Sequence, residues 1–176
     1  MEIMGKWSAH EKATLLGDAV FAANDGLITT FAIIAGAYGA GMNGRVVLIL
    51  GFANLFADGL SMAGGNYMGL KSEIKYKGTI SVESSHHHSP LRHGGVTFIS
   101  FSLTGLIPLI PYILHLDNAF NLSIFFVAVS LFVIGLARGK MIEGSSLRSA
   151  FEMLAVGGAA ALVAYTVGVA LDKYVI

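Results

Sequence analysis

The chain has 176 residues, 55% of them hydrophobic and only 12% charged, against about a quarter charged in a soluble domain. Its 11 basic and 11 acidic residues give a formal net charge of zero, so no bulk attraction to nucleic acid is expected. The complete lack of cysteine rules out disulfides, thiolate metal sites and thiol catalysis, leaving carboxylate, methionine, histidine, amide and backbone oxygen as ligands.

Five apolar segments follow one another: residues 15–40, 46–70, 94–114, 122–137 and 150–171. Most are near or above the ~20 residues that cross a hydrocarbon core, and the fourth is the shortest. The reading is an all-α integral membrane protein of five transmembrane helices, a single domain over residues 1–176. Segment one is too long and too interrupted by acids for a signal-peptide core, so it reads as a retained helix. Gly41-Met42-Asn43-Gly44 is a tight turn that makes helices one and two antiparallel neighbours. The longest polar stretch, between helices two and three over about residues 71–93, is too short to build a core of its own. It can extend helix two and ends in His86, His87, His88 and His93. In helix three, Pro108 and Pro111 are expected to bend the axis and free backbone carbonyls. Small residues recur four apart, as in Ala32, Gly36 and Ala40, Gly65 and Gly69, Gly135 and Gly139, and Gly157 and Ala161, a spacing that lets helix backbones approach closely in lipid.

Nine of the eleven Lys and Arg residues precede helix one or lie between helices two and three or four and five; only Arg45 and Lys173 fall on the other side. The positive-inside rule then places the N-terminus and both longer loops in the cytoplasm and the C-terminus outside or in a lumen.

Asp18 and Asp25 interrupt the first apolar segment and Asp58 the second. A carboxylate costs roughly 2.5 kcal/mol or more at the centre of an inserted helix, which makes an ion or proton pathway the leading reading. Seven residues are two helical turns minus about 20°, so Asp18 and Asp25 share a face about 10 Å apart along the axis. Asn54, Asp58 and Met62 share a face by the same spacing. Carboxylates suit Mn(II) and Fe(II), and a thioether is a softer ligand, so the set leans toward a transition metal over Mg or Ca. Crowded carboxylates in a low-dielectric site take up protons more readily than in water, and an arriving cation must displace those protons. Such competition is the minimum chemistry of a proton-coupled antiporter. A cytosolic metal-gathering patch from His86, His87, His88 and His93 with Glu73 and Glu83 is an alternative to a merely solvated loop.

The chain resembles the vacuolar iron transporter family, also called CCC-type or nodulin-like. The resemblance rests on Asp18-Ala-Val-Phe-Ala-Ala-Asn-Asp25-Gly-Leu, on Phe56-Ala-Asp-Gly-Leu-Ser-Met62-Ala-Gly-Gly-Asn-Tyr67 through Lys71-Ser72-Glu73, and on three shorter phrases, one on each remaining span: Gly105 to Tyr112, Gly135 to Lys140 and Gly158 to Tyr165. It implies a five-helix homodimer with an ion path between protomers, lined by helix one, that exports Fe(II) or Mn(II) from the cytosol in exchange for protons and holds no resident cofactor. Asp18, Asp25 and Met62 fall on the family's pathway positions. Two departures stand out. Asn54 occupies the place, eight residues before the methionine, where eukaryotic members usually carry an acid, while Asp58 supplies one a turn later. The long glutamate-rich cytosolic domain of those members is replaced by the stretch at about 71–93.

Two Asp-Gly pairs on adjacent membrane helices also fit an intramembrane aspartyl protease, in which two carboxylates share a proton and activate water. The Gly-x-Gly-Asp and Pro-Ala-Leu phrases of that class are missing. A non-transporting membrane metal sensor or scaffold is the other alternative.

Overall fold

A computed structural model of the chain describes residues 9–79, 89–141 and 144–174. Five helices among these residues are long and apolar enough to cross a membrane: Glu11–Gly39, Gly44–Thr79, Pro90–Ile113, Ala119–Met141 and Ser146–Tyr174. The protein is therefore a multi-pass, all-α integral membrane protein. In chain order the elements are α1 (Ala9–Gly39), α2 (Gly44–Thr79), α3 (Pro90–Leu106), a 3-10 turn (Ile107–Leu109), α4 (Ile110–Ile113), α5 (Ala119–Met141) and α6 (Ser146–Tyr174).

Local chemistry sets the helix boundaries. At the end of α1, Gly41 takes φ +65°, the Met42 N–H donates to Ala37 O at 2.9 Å and the Gly41 N–H to Tyr38 O at 3.0 Å. These are the paired bonds of a Schellman stop, which needs a left-handed residue just past the helix. Asn43 Oδ1 then accepts the Val46 N–H at 3.1 Å and opens α2. α2 continues through its charged end to Thr79, helped by a Glu73–Lys77 ion pair one turn apart. Pro90 occupies the first turn of α3, where its missing N–H costs nothing. Pro108 and Pro111 lack the donors that would continue the α-helical ladder, and the chain tightens there into the 3-10 turn before the single turn of α4. Of the carbonyls in this stretch, Pro108 O accepts the buried Ser123 hydroxyl at 2.6 Å, tying the break to α5.

α1 runs through the middle of the bundle and packs against all four other spans, with the α2/α3 pair on one side and the α5/α6 pair on the other. Leu27, Phe31 and Ile34 of α1 join Leu55, Phe101 and Leu131 in one core cluster. Small residues set how close the helices come. A Cβ on Gly26 would run into the Phe101 carbonyl of α3, and one on Gly135 would lie 2.5 Å from the Ala150 Cα of α6. Gly65 and Gly69, by contrast, have nothing within 4 Å of where a Cβ would stand and face a cavity instead.

Helix alternation gathers Lys12, Lys71, Lys75, Lys77, Arg92, Arg138, Lys140 and Arg148 at one end of the bundle, and Arg45 and Lys173 at the other. The first is the basic end below.

Candidate ion pathway

Depth follows from the turn. Asp25 lies fourteen residues before the end of α1 and Asp58 fourteen residues after the start of α2, about 21 Å along each antiparallel helix from the turn. The two carboxylates are consequently level. Both are partly buried, and the charge of Asp58 reaches Asp25. Thr29 Oγ1 donates to the Asp25 backbone carbonyl at 2.8 Å, and Thr104 Oγ1 of α3 to the Ala23 carbonyl at 2.9 Å. The first bond stays within α1 and the second links α1 to α3.

Polar groups surround this level. Asn24 Oδ1, Thr30 Oγ1, Asn54 Nδ2 and Ser102 Oγ are buried and have no hydrogen-bond partner among the described residues. Each such group costs about 1–3 kcal/mol in an apolar surround unless something polar meets it, so the middle of the bundle is built to receive polar guests. Met62 lies one turn from Asp58 toward the basic end. It is partly buried and packs against the apolar core cluster.

Asp18 lies nearer the basic end and has a side-chain partner that the sequence reading did not give it. It bonds to His93: the imidazole donates through Nδ1 to Asp18 Oδ2 at 2.5 Å, with the His93 side chain 4% and the Asp18 side chain 26% exposed. His93 therefore belongs to the first turns of α3, not to a loop patch. Pro90 starts the helix, and His93, Thr97, Phe101 and Gly105 form its buried face at four-residue spacing. That spacing is the available signal in the sequence, masked by three preceding histidines. Beside the pair, Asn66 Nδ2 donates to Thr97 Oγ1 at 2.8 Å. Asp18, Asn66, Glu73 and His93 border a cavity of about 470 Å³ at the basic end, between α1, α2 and α3. Glu73 is paired there with Lys77. His86, His87, His88 and Glu83 lie outside the described residues. Among the described residues, no three His, Asp or Glu side chains converge on one point; one protomer offers pairs, Asp25 with Asp58 and Asp18 with His93.

The sequence profile of the VIT family matches residues 16–80 and 74–169, nearly the whole bundle. The chain belongs to the VIT family. This family comprises transporters and not enzymes, which removes the aspartyl protease reading. Among VIT relatives, the chain is 27% identical to a vacuolar iron transporter of Toxoplasma gondii, with 89% of this chain and 74% of that protein aligned. It is 26% identical to vacuolar iron transporter 1 of Arabidopsis thaliana over 86% of this chain and 84% of the relative. For vacuolar iron transporter 1 of Eucalyptus grandis the figures are 23%, 90% and 87%. The matched VIT segments contain Asp18, Asp25, Asn54, Asp58 and Met62, and the second of them contains His93.

Proposed function

We propose that this VIT protein carries divalent transition metal ions, Fe(II) or Mn(II), out of the cytosol in exchange for protons. The observation that carries the reading is the level Asp25–Asp58 pair, two partly buried carboxylates at one depth on the packed antiparallel helices α1 and α2 inside a membrane bundle. Two like charges in a low-dielectric site are relieved either by protons or by a divalent cation, and that choice couples the two fluxes. Asn54 and Met62, one turn to either side of Asp58, complete the ligand candidates on α2. The soft thioether favours Fe(II). Asp18, with His93, stands about two turns nearer the basic end, where an ion arriving from the cytosol first meets a carboxylate; Glu73 and Glu83 with His86, His87 and His88 would gather metal before it.

Two carboxylates with one amide and one thioether are few donors for a first-row ion that prefers six. A homodimer that sets two copies of the α1/α2 face against each other would double the carboxylates to four and enclose the path. The nine basic residues on one side support a cytoplasmic N-terminus and an outside or lumenal C-terminus.

The test is uptake of Fe(II) and Mn(II) into proteoliposomes holding an internal pH dye. Metal influx with opposite proton movement is the expected result, and metal movement with no pH response would refute the exchange. Reporters after Ile176 and near Ser84 should read opposite sides of the membrane; the same side for both would overturn the orientation.

A further inference from the structure

His93 stands on α3, outside the two helices that carry the candidate acids of the pathway, yet it is built into the wall of the Asp18 cavity. Its mounting is firm. A Cβ on the next residue, Gly94, would lie 2.8 Å from the Ala63 carbonyl of α2, so the α3 backbone is seated against α2 here. One turn on, Thr97 Oγ1 donates to the His93 carbonyl at 2.8 Å and accepts from Asn66 Nδ2 of α2 at 2.8 Å. The imidazole thus projects from a fixed stretch of helix, with its side chain 4% exposed.

Asp18 is held through one oxygen. Its Oδ2 takes the His93 Nδ1–H, while Oδ1 makes no hydrogen bond among the described residues. The side chain borders the cavity. That space, about 470 Å³, has room for a divalent ion with six waters, which at about 30 Å³ each would fill less than half of it. Partners that hydrogen-bond to metal-ligating side chains fix their orientation, and losing such a partner typically costs about 10–100-fold in metal affinity.

We propose that His93 is a positioning residue for metal entry: through Nδ1 it fixes Asp18 so that the free oxygen meets a hydrated Fe(II) or Mn(II) ion in this cavity. The role rests on the protein being a metal carrier, and it adds α3 to a pathway otherwise drawn on α1 and α2.

The test reads the cavity itself as well as transport. Gly69 lines the cavity and has nothing within 4 Å of where a Cβ would stand, so in a chain with no other cysteine Gly69→Cys can carry a small trifluoromethyl tag whose 19F signal is broadened by Mn(II) bound nearby. His93→Leu fills much of the ring's space without a donor. It should raise both the Mn(II) concentration that broadens the signal by half and the KM for Mn(II) in proteoliposomes of the untagged chain about tenfold, with kcat per folded protein kept. His93→Asn places an amide nitrogen where Nδ1 stood and should restore both values. Added to Asp18→Asn, His93→Leu should change neither any further, because it acts through that carboxylate. Wild-type values in His93→Leu, or equal losses in His93→Asn and His93→Leu, would overturn the role, as would a further loss in the double variant. A wild type that moves no metal, with the 19F series in the expected order, would sink the carrier reading and leave His93 as the residue that orients Asp18 toward a bound ion.

Discussion

His93 on α3 and Asp18 on α1 are joined side chain to side chain at 2.5 Å, with the imidazole buried. The bond fastens α3 to α1 beside the cavity that opens at the basic end. A buried polar group that loses its hydrogen-bond partner costs about 1–3 kcal/mol, and more when it is charged. The 26% exposure of the Asp18 side chain lets water take over part of the lost bond, which brings the expected cost of His93→Ala to about 1–3 kcal/mol. Unfolding of the detergent-solubilised protein should show that loss. Asp18→Asn combined with His93→Ala should cost less than the two single losses added, because the second change removes a bond the first has already broken. Additive losses would mean the two side chains act independently.

Gly26 carries the α1/α3 crossing immediately after Asp25. A methyl group there would meet the Phe101 carbonyl, which belongs to a helix backbone and cannot swing aside. Gly26→Ala should therefore destabilise by about 1–3 kcal/mol, as overpacking does, even though alanine is the better helix former by about 1 kcal/mol. Gly65→Ala on α2 meets nothing and should be neutral or stabilising. Melting temperatures of the two variants in one detergent decide the matter; equal behaviour would contradict the close crossing.

For Asp25 and Asp58 the expected pattern is opposite in stability and function. The two carboxylates stand at one depth on packed helices, so replacing either by the isosteric amide removes a like-charge repulsion that the low-dielectric surround magnifies. Asp25→Asn and Asp58→Asn should each melt at or above the wild-type temperature. In proteoliposomes, Asp25→Asn should abolish metal-dependent proton movement, while Asp58→Asn should weaken transport of both metals and shift its pH dependence. Wild-type transport by Asp25→Asn would remove that residue from the pathway.

How far the sequence carries is seen in particular residues. Hydropathy is enough for five spans because lipid demands long apolar runs, yet it ends α2 at Leu70, whereas the helix continues to Thr79. The last turns of α2 carry Lys71, Glu73, Lys75 and Lys77, which hydropathy reads as loop although Glu73 and Lys77 support helix. The same bias trims α5, which runs on through Arg138 and Lys140 to Met141. The common depth of Asp25 and Asp58 is legible, since one short turn between antiparallel helices fixes the level of both. The partner of Asp18 is not, because a 75-residue separation leaves no local trace. Nor does composition reveal that Asn24, Thr30, Asn54 and Ser102 are buried without partners among the described residues.

Met62 tests whether a pathway position can also be a packing position. Its side chain touches the apolar core cluster, and its partial burial sets the cost of Met62→Ala near the low end of the large-to-small range, about 2 kcal/mol. That loss alone would lower the amount of folded protein and reduce Fe(II) and Mn(II) transport equally. A ligand role adds a difference between the metals: without the thioether the remaining donors are oxygens, which favour Mn(II) relative to softer-ligand ions. The expected result, at equal amounts of folded protein in the liposomes, is a lower Fe(II)-to-Mn(II) transport ratio with Mn(II) transport partly kept. Met62→Leu sharpens the comparison, because it restores most of the buried volume and no sulfur. If Met62→Leu recovers stability but keeps the lowered ratio, the sulfur acts on the ion. If it recovers both, the methionine serves the core, and selectivity rests with Asp25, Asn54 and Asp58.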